Sequence, residues 1–465
     1  MNRIILLFSA SVLLAACNSG SDPASSAPDE LVHPAWSKNA VIYEMNVRQH
    51  SASGSLRSAR ADLARLKQLA VDVVWLMPIH PIGEVNRKGG ENLDNFLVQP
   101  GSASLGSPYS VRDYTALNPD YGSWEDFDAF VSSAHDYGMK VIIDWVANHT
   151  AFDAKWTTDS IGMGYYLLDE EGGLQPPSGT DWVDVAQLDW ENGEANGLYD
   201  AMEEAMAFWV REHDIDGFRC DVAEKVPTAF WNRVRRTLES IQPEIFMLAE
   251  AEVPEHHDRA FDASYAWEFH HITNQVAKGE MDADSVRAYF DREAERFPSS
   301  AYRMTFVTNH DENAWNGTAE ERYGDGVRAM AVLSGTAFGM PLIYGGQESD
   351  MDKRLRFFEK DTIPWGQYKS MSFYRILHDV HHRFGALHNG QFGSRAVQLV
   401  QEGDVMYYER SDDEYAVRVL INLSNQPVEF VPEGLEGYRT TFNRQNLTRT
   451  AWDPWAFEVF TKALK

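Results

Sequence analysis

Cysteine is nearly absent from this chain: Cys17 and Cys220 are the only two in 465 residues. Two thiols build no disulfide framework and supply no cysteine cluster for a metal. Basic charge is scarce as well, with 41 Lys and Arg against 70 Asp and Glu and a net charge of −29. Such a surface repels phosphate backbones instead of releasing their counterions, which argues against nucleic acid as a partner. The acidity itself reads as solubility and names no substrate. Hydrophobic residues make up 44% and charged residues 24%, an ordinary soluble-globular balance. Collagen-like, disordered and multi-span membrane classes are thereby excluded for the whole chain. No internal repeat is present.

One end differs from the rest. Arg3, an apolar run from Ile4 to Leu14, and the small residues Ala15 and Ala16 read as a secretory signal over 1–16, too short to span a bilayer. The stretch Leu14-Ala15-Ala16-Cys17 resembles the bacterial lipoprotein box, which implies lipidation of Cys17 as the mature N-terminus; the alternative is a plain signal peptide cleaved nearby. Two or more acyl chains suffice for stable anchoring. The Ser-, Ala-, Pro- and Gly-rich residues that follow read as a flexible tether over 17–35. The expectation is an exported, membrane-anchored lipoprotein, at the outer membrane or periplasmic face if the cell is Gram-negative, whose body stands outside the inner membrane and meets a membrane through the lipid anchor only.

Beyond the tether, short β-rich apolar runs alternate with longer amphipathic segments, the pattern of βα units around a parallel sheet. Candidate strands are Ala40 to Val47, Val71 to Ile79, Lys140 to Ala147, Ile215 to Ala223, Glu244 to Ala251, Ala263 to Phe269, Arg303 to Glu312 and Pro341 to Glu348. Helical spacing recurs between them, as in Phe127, Phe130, Val131, Ala134 and in Leu198, Met202, Ala205, Trp209. Eight strands with intervening helices predict a (β/α)8 barrel over 36–390. The Gly-, Pro- and aromatic-rich stretch 150–196 is too long for a βα loop and reads as a small subdomain inserted after the third strand. The tail 391–465 shows strand runs without helices between them and reads as a C-terminal all-β sandwich.

In such a barrel the reacting groups belong at the C-terminal ends of strands. The third run ends in Asp144-Trp145-Val146-Ala147-Asn148-His149, the fourth in Gly217-Phe218-Arg219-Cys220-Asp221, the fifth in Ala249-Glu250, and the seventh in Asn309-His310-Asp311. These segments closely resemble, in order and in strand context, the four signature regions of the alpha-amylase family of glycoside hydrolases, family 13. Val73-Val74-Trp75-Leu76-Met77-Pro78 is similar to the family's second strand, and Gly339 to Glu348 to its eighth. The resemblance implies a retaining enzyme acting on α-1,4 bonds of starch, glycogen or maltodextrins. It makes Asp221 the nucleophile, Glu250 the general acid/base and Asp311 the third essential acid. It also makes His149 and His310 hydrogen-bond partners of the same sugar, and Tyr109 its stacking platform. A glucanotransferase or branching enzyme, and a non-catalytic glycan-binding relative, are the alternatives.

Residue chemistry runs alongside. Cleavage through an oxocarbenium-like state needs two carboxyl groups at one carbon, and acids at the rims of adjacent strands can flank it. Arg219 lies two residues before Asp221, on the same side of the strand, where its charge keeps Asp221 ionised. Glu250, held without such a partner, is expected to stay protonated. Cys220 points the other way and reads as a small hydrophobe. Trp182, Trp190 and Tyr165 fit either sugar stacking or the core of the insert. His378, His381 and His382 read as part of an amphipathic helix. Asn148 matches a calcium ligand of the family, and its oxygen together with Asp181 or Asp184 would suit that hard cation. The family's Lys-His pair, tied to downstream sugars and a calcium, is Glu224-Lys225 here. No organic cofactor is implied.

Overall fold

The computed structural model describes residues 30–89, 104–158, 160–442 and 449–465. The signal 1–16, the lipidation candidate Cys17 and the tether as far as residue 29 lie outside the described residues. No helix among the described residues is long and apolar enough to cross a membrane. Packing begins before residue 35. The Leu31 N–H reaches the Asp258 carbonyl, and His33, stacked on Tyr302, is buried with Nδ1 2.9 Å from Asp262 Oδ1. Residues 31–35 therefore belong to the body, not to a free tether.

Eight parallel strands close into a barrel in sequential order: β1 Ile42–Met45, β2 Val73–Leu76, β3 Lys140–Val146, β4 Gly217–Asp221, β5 Phe246–Ala249, β6 Ala263–Tyr265, β7 Tyr302–Thr305 and β8 Met340–Tyr344, with β8 paired to β1. Each strand is buried on both faces, so side chains sort by alternation. Ile42, Val73, Trp75, Ile142, Phe246 and Leu248 fill the barrel interior. Val74, Leu76, Ile143, Phe218 and Cys220 turn outward into the layer shared with the helices, as expected of Cys220. Gly339 leads into β8 at φ +91, where a Cβ would lie 1.9 Å from the Arg303 carbonyl oxygen; only glycine lets the last strand close on β7.

The helices follow the spacings read from sequence. Trp124–Asp136 starts from a Ser123/Asp126 capping box and buries Phe127, Phe130, Val131 and Ala134. Leu198–His213 buries Leu198, Met202, Ala205 and Trp209. Met371–Arg383 places His378 and His381 inside, the former bonded to the Leu69 carbonyl.

Every candidate strand ends before its run does, three of them by four residues or more, and Pro341 to Glu348 is strand only to Tyr344. The segment Ala263 to Phe269 is strand only to Tyr265, and a helix starts at Trp267. The run Arg303 to Glu312 is strand only to Thr305; Asn309 Oδ1 then accepts the Glu312 N–H at 2.8 Å and opens a one-turn π-helix over Glu312–Asn316. The insert after β3 contains an antiparallel hairpin, His149–Ala151 with Val185–Gln187. Past the barrel, an antiparallel five-stranded sheet carries a two-stranded ribbon, Val428–Glu429 with Ala451–Trp452. Tyr407, Leu420, Trp452 and Phe460 share a small core of their own, the terminal all-β sandwich.

Candidate active site

Tyr109, His149, Asp221, Glu250, His310 and Asp311 all line one cavity of about 450 Å³ at the C-terminal ends of the strands, and Arg219 is buried beneath them. Asp221 closes β4 and Glu250 follows β5, so the pairing of these strands sets the two acids side by side. The Glu250 N–H donates to the Cys220 carbonyl at 2.9 Å, and the Val222 N–H donates to Glu250 Oε2 at 2.9 Å. Val222 sits at φ 36, ψ 47, a left-handed conformation that a β-branched residue adopts only at a cost. That strain aims its N–H at the carboxyl.

The Arg219 guanidinium organises the acids. Its Nη1 donates to Asp144 Oδ1 and to Asp221 Oδ1, each at 2.9 Å, and its Nε donates to the Tyr265 hydroxyl at 3.1 Å. Nη2 stands 2.8 Å from Glu250 Oε2, a charge contact rather than an aligned hydrogen bond. Glu250 therefore does have a cationic partner, against the expectation from spacing. The guanidinium is a fork, and its second arm crosses to the neighbouring strand.

Both acids are held above the ordinary carboxylate range. Burial raises the Glu250 carboxyl to about 7, with Arg219 opposing and the charges of Asp221 and Asp311 reinforcing. Burial raises Asp221 to about 6, where Arg219, bonded at 2.9 Å, opposes. His149 is pushed down to about 4 by burial and is neutral.

Tyr109 stands between acid and imidazole: its hydroxyl donates to Asp144 Oδ2 at 2.9 Å and lies 2.8 Å from His310 Nε2. Its ring stacks on His310 at 5.3 Å and lies near-parallel to Phe357 at 6.1 Å, and His310 and Phe357 are 6.4 Å apart, so the three rings form one cluster.

Several contributors escaped the sequence reading. Asp144 is wholly buried and accepts from Arg219, Tyr109 and the Trp75 indole. Glu44, also wholly buried, contacts His310 Nδ1. Their signal was available, because Ile42 and Ile142 face the interior two residues earlier, which puts an acid at an inward position of each strand. Trp315, Phe357 and Phe358 form an aromatic wall of the cavity. Of the three insert aromatics, Trp182 lines the cavity near His149, whereas Trp190 packs on Tyr199 and Phe230, and Tyr165 on Trp156.

Of the oxygen donors offered for calcium, Asn148 and the Asp184 carboxylate already have partners. Gln187 Nε2 stands 3.1 Å from the Asn148 carbonyl, 3.3 Å from Asn148 Oδ1 and 2.9 Å from the Leu188 carbonyl. Lys88 Nζ donates to the Asp181 carbonyl at 2.5 Å and lies 3.8 Å from Asp184 Oδ1. Converging oxygens already hold an amide and an ammonium, and among the described residues no three His, Cys, Asp or Glu side chains gather to hold a metal. These residues do not fit a calcium cage.

The arrangement of two largely buried carboxyls on one arginine, with a third in the same cavity, suits chemistry at a sugar's anomeric carbon. The sequence profile of the alpha-amylase catalytic domain matches residues 35–373. The chain belongs to the alpha-amylase family. Within that family it is 27% identical over 421 residues to alpha-amylase MalA of Haloarcula japonica, covering 87% of this chain and 58% of MalA. An alpha-1,4-glucan:maltose-1-phosphate maltosyltransferase of Arcanobacterium haemolyticum is 33% identical over 208 residues, 43% of this chain and 28% of that enzyme. The chain thus spans well under two thirds of both relatives. Among solved structures, an alpha-amylase from Lactobacillus plantarum superposes with a TM-score of 0.77 at 26% identity, covering 92% of this chain and 99% of that one. The noncanonic maltogenic alpha-amylase AmyB of Thermotoga neapolitana gives a TM-score of 0.74 at 25% identity, covering 92% and 97%.

Proposed function

We propose that this protein is a retaining hydrolase of α-1,4-glucosidic bonds in starch, glycogen or maltodextrins. The observation that carries the reading is the single guanidinium of Arg219 held between Asp221 and Glu250 on the wall of one cavity. Two carboxyls sharing one cation suit the close pair, about 5–5.5 Å apart, of a double displacement better than the wider gap of an inverting pair. Asp221, ionised, attacks the anomeric carbon while Glu250 gives its proton to the departing oxygen. The C–O bond to the leaving glucan breaks and a glycosyl ester to Asp221 forms. Glu250, now a carboxylate, takes a proton from water, whose oxygen displaces Asp221 and restores both groups. Asp311, His149 and His310 hold the sugar's hydroxyls as the ring distorts, and Tyr109 supplies its apolar face.

A second reading is transfer, in which a sugar hydroxyl replaces water. The maltosyltransferases that match part of the chain at 32 to 33% identity favour it, as does the aromatic wall, which could seat an acceptor. Sizing the products from maltoheptaose separates the readings. Hydrolysis yields shorter maltodextrins with a matching rise in reducing ends, whereas longer or branched products without that rise establish transfer. Asp221→Asn is expected to lower either activity by at least about a thousandfold with folding intact; a loss under tenfold, about 1.4 kcal/mol, removes the assignment.

The lipoprotein-like leader supports export and anchoring through Cys17. Fractionation of the full chain against Cys17→Ser tests this, since an anchor predicts release of the variant from the membrane.

A further inference from the structure

One buried carboxylate has no place in the reaction. Glu44 on β1 is 0% exposed and does not line the cavity, yet its Oε1 stands 2.5 Å from His310 Nδ1 and accepts the His310 backbone N–H at 3.4 Å. Its other oxygen has no hydrogen-bond partner. A full carboxylate has been buried against one residue, His310, which is a costly way to hold a ring that a neutral acceptor could hold.

The protons on the ring can be counted from its partners. Tyr109 commits its own proton to the ionised Asp144, so the Tyr109 oxygen is left to accept, and His310 Nε2, 2.8 Å away, must carry the hydrogen. A carboxylate only accepts, so Nδ1 opposite Glu44 must carry one too. A histidine with hydrogen on both nitrogens is a cation. The charged groups around it are Glu44 from β1, Asp311 beside it with Oδ2 3.4 Å from Nε2, Asp144 from β3 and, opposing, Arg219 from β4. The remaining neighbours are ring systems, with Tyr109 and Phe357 stacked and Trp75 edge-on.

We propose that Glu44, out of reach of substrate, is a positioning residue that holds His310 as an imidazolium, so that the Nε2 hydrogen stays a donor toward Tyr109 and the bound sugar. Burial alone would discharge the ring; the charges of Asp311 and Glu44 overcome it and raise His310 to about 9. A Gln at position 44 would keep an acceptor for the Nδ1 hydrogen and remove only the charge. The kinetic part of this inference rests on the glucan-cleaving reading, whereas the proton count does not.

The test uses the full chain labelled with ¹⁵N-histidine, the His310 resonance being assigned by its loss in His310→Asn. In the parent the ring is expected to titrate above the ordinary value of about 6.5, and in Glu44→Gln to fall by at least about one pH unit, with Glu44→Asp between them. On maltoheptaose, the ratio of Glu44→Gln kcat to parent kcat is expected to stay within about threefold of unity at acid pH and to fall about tenfold on the alkaline side. Parent titration at the ordinary value, or a variant titration that does not move, overturns the proposal. So does a rate ratio that is uniform in pH, the mark of a merely structural role. Should Glu44→Gln not fold, the parent titration and Glu44→Asp still decide. Should the protein cleave no glucan, the resonance shift still decides.

Discussion

A carboxyl group buried among other carboxyls resists ionisation, and at this site that resistance has a thermodynamic trace. The folded state binds the Glu250 proton up to about 7, while an unfolded glutamate releases it near 4.3. Tighter proton binding by the folded form means that the group's contribution to stability is complete below about 4.3 and is lost as pH rises through about 7. Glu250→Gln removes the titration and leaves Arg219 still paired with Asp144 and Asp221. Its Tm should therefore match the parent's near pH 4 and exceed it by about 1–3 °C at pH 8 in thermal unfolding, although activity is lost. A variant less stable than the parent at pH 8 would show that the ionised carboxyl is stabilised in place. Sequence spacing revealed Arg219 and Asp221 as a pair because they are two residues apart on one strand. It could not reveal the second arm of the guanidinium at Glu250, since that contact depends on which strands are neighbours and how far a side chain reaches across them.

At the level of elements, the barrel was legible because two patterns alternate along the chain, short continuous apolar runs for strands buried on both faces and a 3.6-residue spacing for the helices that cover them. Element ends were less legible. The turn of Asn309, His310 and Asp311 into a π-helix is accompanied by the Glu312 N–H donating to Asn309 Oδ1, and nothing in the hydrophobic pattern reports it. Val222 is similar, a β-branched residue forced left-handed by the demands of its neighbours. A left-handed conformation costs such a residue about 1–2 kcal/mol, and glycine adopts it freely but gives back about 0.5–1 kcal/mol in chain entropy. Val222→Gly should consequently leave stability within about 1 kcal/mol of the parent while lowering kcat on maltoheptaose about tenfold, because the N–H facing Glu250 is no longer held in line. Unfolding curves and steady-state rates measured on the same preparation check both halves. Parent-like turnover would mean that the strained turn does not position the acid.

Across the whole molecule, the terminal sheet is fastened to the barrel by a cation that, among the described residues, has no anion partner. Arg410 stands on the strand Val405–Ser411, and its guanidinium donates to the carbonyls of Ser394 at 2.6 Å, Thr336 at 3.2 Å and His388 at 3.2 Å. Thr336 ends the helix that leads into β8, so the tie meets the barrel at the end of its strands opposite the active site. Burial lowers the Arg410 pKa to about 10, which still leaves it charged at neutral pH, and backbone dipoles are the groups that its three bonds engage. Removing such a donor strands three carbonyls, each desolvated and unpaired, at about 1–3 kcal/mol apiece before relaxation. Arg410→Met, which keeps the apolar stem, should therefore lose about 2–4 kcal/mol, lower the Tm by a few degrees, and expose the loop at Gly403 to limited proteolysis before the barrel is cut. Turnover per folded molecule at 25 °C should match the parent, because no residue lining the catalytic cavity touches Arg410. Equal loss of turnover and stability would instead mean that the terminal sheet shapes the active site, and that the two parts of the chain work as one.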